Sequence, residues 1–209
     1  MSTQPPLQPG RFYHIYNRGI NGETLFREER NYRYFLSKYA HHVTPVADTY
    51  AYCLMPNHFH LLVRIRTRSA GTDGPDESLT PRRVARCFAN LFSGYAKAIN
   101  NAHSRTGSLF ERPFQRIEID TDRYFQQVVR YIHQNPQRHG FVDDFRTWPH
   151  SSYAALRSQA DTRLQRRFVL DHFGGPEAVD QAHQDAAKQT AEFVHPAFEA
   201  EVGAASSSK

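Results

Sequence analysis

At 209 residues, with 39% hydrophobic side chains that include 15 Phe and 11 Tyr, the chain suits one packed domain with appendages better than two full domains. The mean hydropathy of −0.68 and the lack of any bilayer-length apolar run argue against a membrane span. The polar, proline-rich segment 1–10 reads as a flexible N-terminus and not as a secretory signal. Two cysteines, Cys53 and Cys87, exclude a disulfide scaffold and a CxxC-type site, and read as reduced thiols. The net charge of +5 is unevenly spread: residues 1–81 carry +2, residues 82–167 carry +8, and residues 168–209 carry −5. An Arg-rich middle suits phosphate recognition, although a solvated surface would have the same composition.

In chain order, residues 11–17 alternate and are rich in aromatics, which predicts a first strand followed by a turn-rich loop at Asn17–Gly22. Residues 28–42 place Tyr32, Phe35, Leu36 and Tyr39 at helical spacing, and Pro45 closes that helix. Strands over 49–55 and 58–66, joined by Pro56-Asn57, predict an antiparallel hairpin. Residues 68–79, rich in Gly, Asp and Ser, read as a mobile loop. Thr80 then caps, and Pro81 opens, a helix whose apolar stripe is Val84, Phe88, Leu91, Phe92, Tyr95 and Ile99. A fourth strand over 114–119 leads to a helix over 123–135, capped by Asp120 or Thr121 and stopped by Pro136. The order β-α-β-β-α-β-α predicts an α+β, ferredoxin-like (split βαβ) fold. It has an antiparallel four-stranded sheet with helices on one face, plus the seventh helix and a C-terminal helical extension. The divisions read are 1–10, a catalytic domain over 11–153, a helical extension over 154–184, and a disordered tail over 185–209.

His58-Phe59-His60 carries the chemistry. Strand side chains alternate, so both imidazoles share one face while Phe59 takes the other. Neutral imidazoles bind divalent ions, and two on one strand make a half-site. Tyr131 and Asn135 lie four apart on a helix and also share a face. An Asn beside a Pro ordinarily just ends a helix, and a helical Tyr is ordinarily core. The i, i+4 relation is what singles the two out. An amide oxygen added to two imidazoles favours Mg²⁺ or Mn²⁺ over zinc.

These residues resemble the HUH single-tyrosine transposases: His58-Phe59-His60 matches their His-hydrophobic-His motif, and Tyr131-Ile132-His133-Gln134-Asn135-Pro136 their nucleophile helix. Tyr13-His14-Ile15-Tyr16-Asn17-Arg18-Gly19, Met55-Pro56-Asn57-His58-Phe59-His60, Gly107-Ser108-Leu109-Phe110 and Gly140 are similar to the REP-associated tyrosine transposase-like branch, over roughly residues 11–153. The resemblance implies that His58, His60 and Asn135 hold one divalent ion. It implies that Tyr131 attacks a phosphodiester of single-stranded or hairpin DNA, giving a 5′-phosphotyrosine link and a free 3′-hydroxyl. A phenol with pKa of about 10 is a weak nucleophile, and Lewis-acid help compensates. Arg18, Arg112, Arg116 and Arg138 are the candidate DNA contacts, with aromatic faces available to unpaired bases. His133, on a different helix face from Tyr131, is not read as a general base. The resemblance further implies a cytoplasmic bacterial protein, on the nucleoid when DNA-bound, and working as a monomer or a homodimer. The branch's Trp-Gln pair before the fourth strand is missing here, where Leu109–Gln115 carries no Trp, so the cognate hairpin stays open. Two other readings also stay open: a metal-dependent nuclease using water, with Tyr131 structural, and a non-catalytic nucleic-acid-binding module.

Overall fold

The structure, a computed structural model, describes residues 4–68 and 79–188. Four strands, β1 (Phe12–Arg18), β2 (Ala47–Met55), β3 (His58–Ile65) and β4 (Gln115–Ile119), form one antiparallel sheet in the order β2-β3-β1-β4. With α1 (Glu29–His42) after β1 and α2 (Pro81–Ala102) after β3, this is the split βαβ arrangement read from the sequence. The β2–β3 hairpin pairs Met55 with His58 and Cys53 with His60, while β1 places Arg18 opposite His58 and Tyr16 opposite His60. Strand β2 begins at Ala47, earlier than its apolar run suggests, and its pairing with β3 shifts register between Thr49 and Ala51.

Each sheet face has its own core layer. Tyr13 and Ile15 of β1, with Phe59, Leu61, Val63 and Ile65 of β3, pack against α1 and α2. The apolar stripe of α2 is its buried face, and Thr80 Oγ1 accepts the Arg83 amide at 3.2 Å as the N-cap. On the other face, Tyr16, Cys53, Met55 and Leu62 pack against α3 (Asp122–Arg138), with Val169 of α5 (Arg166–Phe173) and Val179 of α6 (Pro176–Lys188) behind it. The sheet is therefore covered on both sides. This is why β3 is buried at every position but Arg64 instead of alternating.

Two expectations change. Pro136 does not stop α3, which runs on to Arg138, capped by Thr121 at its start. A proline costs a helix the bond from its own nitrogen to the carbonyl four residues back. In the last turn that cost is confined to one carbonyl, and the His139 amide still reaches Asn135 O at 3.0 Å. Residues 4–10, read as flexible, are anchored: Leu7 is fully buried, and the Tyr13 hydroxyl donates to Pro6 O at 2.8 Å while accepting the Gln8 amide at 2.9 Å. The segment after α3 returns to the sheet. Leu54 N–H donates to His150 O and Ser152 N–H to Tyr52 O, both at 2.9 Å, so residues 150–152 close part of the open edge of β2. A short helix α4 (Tyr153–Arg157) follows. Most of the loop expected over 68–79, and the tail beyond Lys188, lie outside the described residues.

Candidate active site

The sheet face that carries α3 collects the candidate residues. The even positions of β1 and β3 point there, bringing His14, Tyr16, His58 and His60 against the helix. Its i, i+4 face supplies Tyr131 and Asn135. The His60 and Tyr131 rings lie 5.5 Å apart edge to face, and His58 and His60 lie 5.2 Å apart at 86°. All four candidates are thus in one place. Tyr131 is 7% exposed and His58 9%, whereas His60 and Asn135 are fully buried.

Hydrogen bonds fix how these groups point. His58 Nδ1 lies 2.7 Å from Asn57 Oδ1, so Nδ1–H donates and Nε2 carries the lone pair. Asn135 Nδ2 donates to Tyr131 O at 3.4 Å, one turn back, which turns Oδ1 toward His58. Two lone pairs, His58 Nε2 and Asn135 Oδ1, then face each other at 3.5 Å, too long for a good hydrogen bond. Two electron-rich atoms converging in this way suit a shared cation, and His58, Asn135 and His60, whose ring lies 5.2 Å from that of His58, are the residues that could hold one. His60 Nδ1 is 3.0 Å from His14 Nε2, an outer-layer contact that orients the ring.

Burial holds the imidazoles neutral, the ligand form. His58 is pushed down to about 3, mainly by desolvation and then by His139. His60 is held well below the usual histidine range by desolvation and by His14. Among the described residues there is no cluster of three or more His, Cys, Asp or Glu that could hold a metal, so the set depends on the amide of Asn135.

The four arginines separate. Arg138 stands over the Tyr131 ring, its Cζ 5.7 Å from the centroid, and Arg18 is half-buried opposite His58, 3.4 Å from Glu111. Arg112 lines a cleft against α2 with Phe92 and Phe110, residues of the first core layer. Arg116 is not brought to the imidazoles. It pairs with Ile15 in register and lies over Phe114, on the α1–α2 side of the sheet, because alternation gives Ile117 and Ile119 the other face. Three residues of the site went unassigned in the sequence. His14 needed the strand register, whereas Asn57 is the turn residue next to His58 in the chain. His139, whose ring is 4.7 Å from that of His58, continues the spacing Tyr131, Asn135, His139, but a helix expected to stop at Pro136 does not extend that rule to it. His133 lies away from the site, between His183 and Ser152.

No family model matches the chain. A Haemophilus influenzae protein put forward as a REP-associated tyrosine transposase is 25% identical over 115 residues, covering 51% of this chain and 58% of the relative. The match spans less than two thirds of that protein. A solved REP-associated tyrosine transposase bound to a REP hairpin has the same fold, with a TM-score of 0.57 and 16% identity over 76% of this chain and 86% of that one. The sequence relative and the solved structure carry the same description, and this chain is similar in sequence to the one and in fold to the other.

Proposed function

We propose that this chain cleaves and rejoins single-stranded or hairpin DNA through a covalent tyrosine intermediate. Tyr131 Oη forms a bond to phosphorus while the bond to the 3′ oxygen breaks. The phenol's proton is lost to solvent, and the departing 3′ oxygen takes one up as a hydroxyl. Attack of a second 3′-hydroxyl on the 5′-phosphotyrosine reverses the step and joins new DNA without ATP. The observation that carries this reading is the convergence of Tyr131 with His60 and with the facing lone pairs of His58 and Asn135. When bound, Mg²⁺ or Mn²⁺ at His58, His60 and Asn135 would neutralise charge building on the non-bridging phosphate oxygens. The guanidinium of Arg138 over the Tyr131 ring favours electron density on the phenol as it loses its proton. The hairpin held by the solved relative supports hairpin DNA as the substrate here.

A hairpin oligonucleotide with single-stranded flanks and Mn²⁺ should yield a covalent protein–DNA adduct that survives denaturing electrophoresis. Tyr131→Phe should abolish it. An adduct that persists in Tyr131→Phe, or product release with no adduct at all, would turn the assignment toward a nuclease using water.

A further inference from the structure

Two large hydrophobic side chains are exposed among the described residues, Tyr34 and Phe141, each at 37%. Tyr34 sits on α1, across the sheet from the candidate site, with Lys38 over its ring and Tyr95 beside it. Phe141 is different, because it stands at the rim of the site. Gly140, at φ +70°, turns the chain out of α3, a conformation a side chain would strain. The Phe141 amide then donates back to Pro136 O at 2.9 Å, which holds its ring at the helix end. That ring lies 6.4 Å from His58 and 6.3 Å from His139. Trp148 is also beside it, at 5.9 Å and tilted by 32°. Trp148 is pinned by its indole N–H to Leu54 O at 2.9 Å. A rigid aromatic pair, part exposed, thus continues outward from a histidine of the site. Arg138 and Arg18 provide cationic groups around the same histidine and tyrosine.

We infer that Phe141, backed by Trp148, is a stacking platform for one unpaired base next to the reacting phosphodiester. This rests on the single-stranded DNA reading above. An exposed aromatic face with a fixed backbone takes any base by stacking, and arginines beside it take the flanking phosphates. Phe141 is a substrate-positioning residue: it makes no contact with the reacting atoms, and its stack fixes where the neighbouring phosphate lies.

The test uses the full chain carrying Tyr131→Phe, so that binding is measured without reaction, by fluorescence anisotropy with a flanked hairpin oligonucleotide and Mn²⁺. Phe141→Ala should weaken binding about tenfold, Phe141→Trp should restore it, and the melting temperature should not move. A second series replaces each flanking nucleotide in turn by an abasic one. At one position the abasic substrate should cost the parent what Phe141→Ala costs, and the variant should then lose nothing further. Equal binding by Phe141→Ala and its parent would overturn the platform while leaving the catalytic reading intact, and so would a loss undiminished at every abasic position. No binding by the parent, together with no adduct from the wild-type chain, would overturn both.

Discussion

Helix α3 has a histidine cluster on each side, and the two are built oppositely. On the sheet side, His58 and His60 meet His14, His139, Asn135 and Tyr131. On the other side, His133 joins His183 and Ser152, all three fully buried. The second cluster is a closed chain whose direction can be assigned throughout. His183 Nδ1–H donates to Val179 O at 2.7 Å, so its Nε2 accepts from His133 Nδ1–H at 2.9 Å. His133 Nε2 then accepts the Ser152 hydroxyl at 2.7 Å, and Ser152 Oγ accepts the Tyr52 amide at 2.8 Å. It holds the serine and histidine of a hydrolase triad with a second histidine in place of the acid and no access for a substrate, and it ends on backbone. The first cluster ends on converging lone pairs instead. Histidine count says nothing about function here, whereas the direction in which the hydrogen bonds run out distinguishes a strut from a site.

The largest expected effect separates the clusters by what each loss damages. His133→Ala leaves a buried cavity and removes the donor to His183 Nε2, while the Ser152 hydroxyl can turn to Tyr52 O at 3.2 Å. We expect about 3 to 4 kcal/mol of lost stability in urea unfolding. His58→Ala, at the partly open site, should cost about 1 kcal/mol and yet abolish the adduct. Equal destabilisation by the two changes would erase the distinction.

Acid should probe the closed cluster next. Burial pulls His183 down to about 4 from 6.5. The unfolded chain therefore binds a proton below pH 6.5 that the folded chain refuses until near pH 4. The share of stability that His183 supplies is complete above pH 6.5, is lost as pH falls through the window from 6.5 to 4, and levels off below, while His58, His60 and His133, also held low by burial, add losses of their own. This histidine alone contributes on the order of 3 kcal/mol over that range. His183→Gln, which cannot titrate, should make the fall between pH 6.5 and 4 shallower in chemical denaturation measured at stepped pH, leaving the part due to the other buried histidines. An unchanged slope would show that the strut does not sense protons.

How much of this was legible follows from the range of each rule. The period-2 face of His58 and His60, and the four-residue face of Tyr131 and Asn135, are local and were readable, whereas His139 lies one step further along the same spacing, beyond the Pro136 expected to stop the helix. The charge of Arg116 suggests a DNA contact, although alternation with Ile117 and Ile119 sends it to the other face. Pro136 favours a stop, but its cost falls on one carbonyl of the preceding turn, and the helix closes its last turn through the His139 amide on Asn135 O. His14 against His60, and His133 against His183, are separated by 46 and 50 residues, and only the fold brings each pair within hydrogen-bonding distance. The second core layer was missed for the same reason. Nothing local in 154–184 says which sheet face its helices cover.

The smallest effect tests whether the open cluster holds a cation. An ion bound only by the folded chain stabilises it by RT ln(1 + [L]/Kd), about 1.4 kcal/mol at ten times Kd. Mn²⁺ should therefore raise the melting temperature of the wild-type chain by a few degrees, saturably, and EDTA should reverse the rise. His58→Ala and Asn135→Ala should each lose it, because each removes one of the two facing lone pairs. His183→Gln should keep it, since the closed cluster ends on Val179 O and offers no convergent donors. A rise that survives in Asn135→Ala would show that two imidazoles suffice and that the amide only orients Tyr131. A rise lost in His183→Gln would mean that the strut, through α3, sets the spacing of the donors, and the two clusters would then be parts of one device.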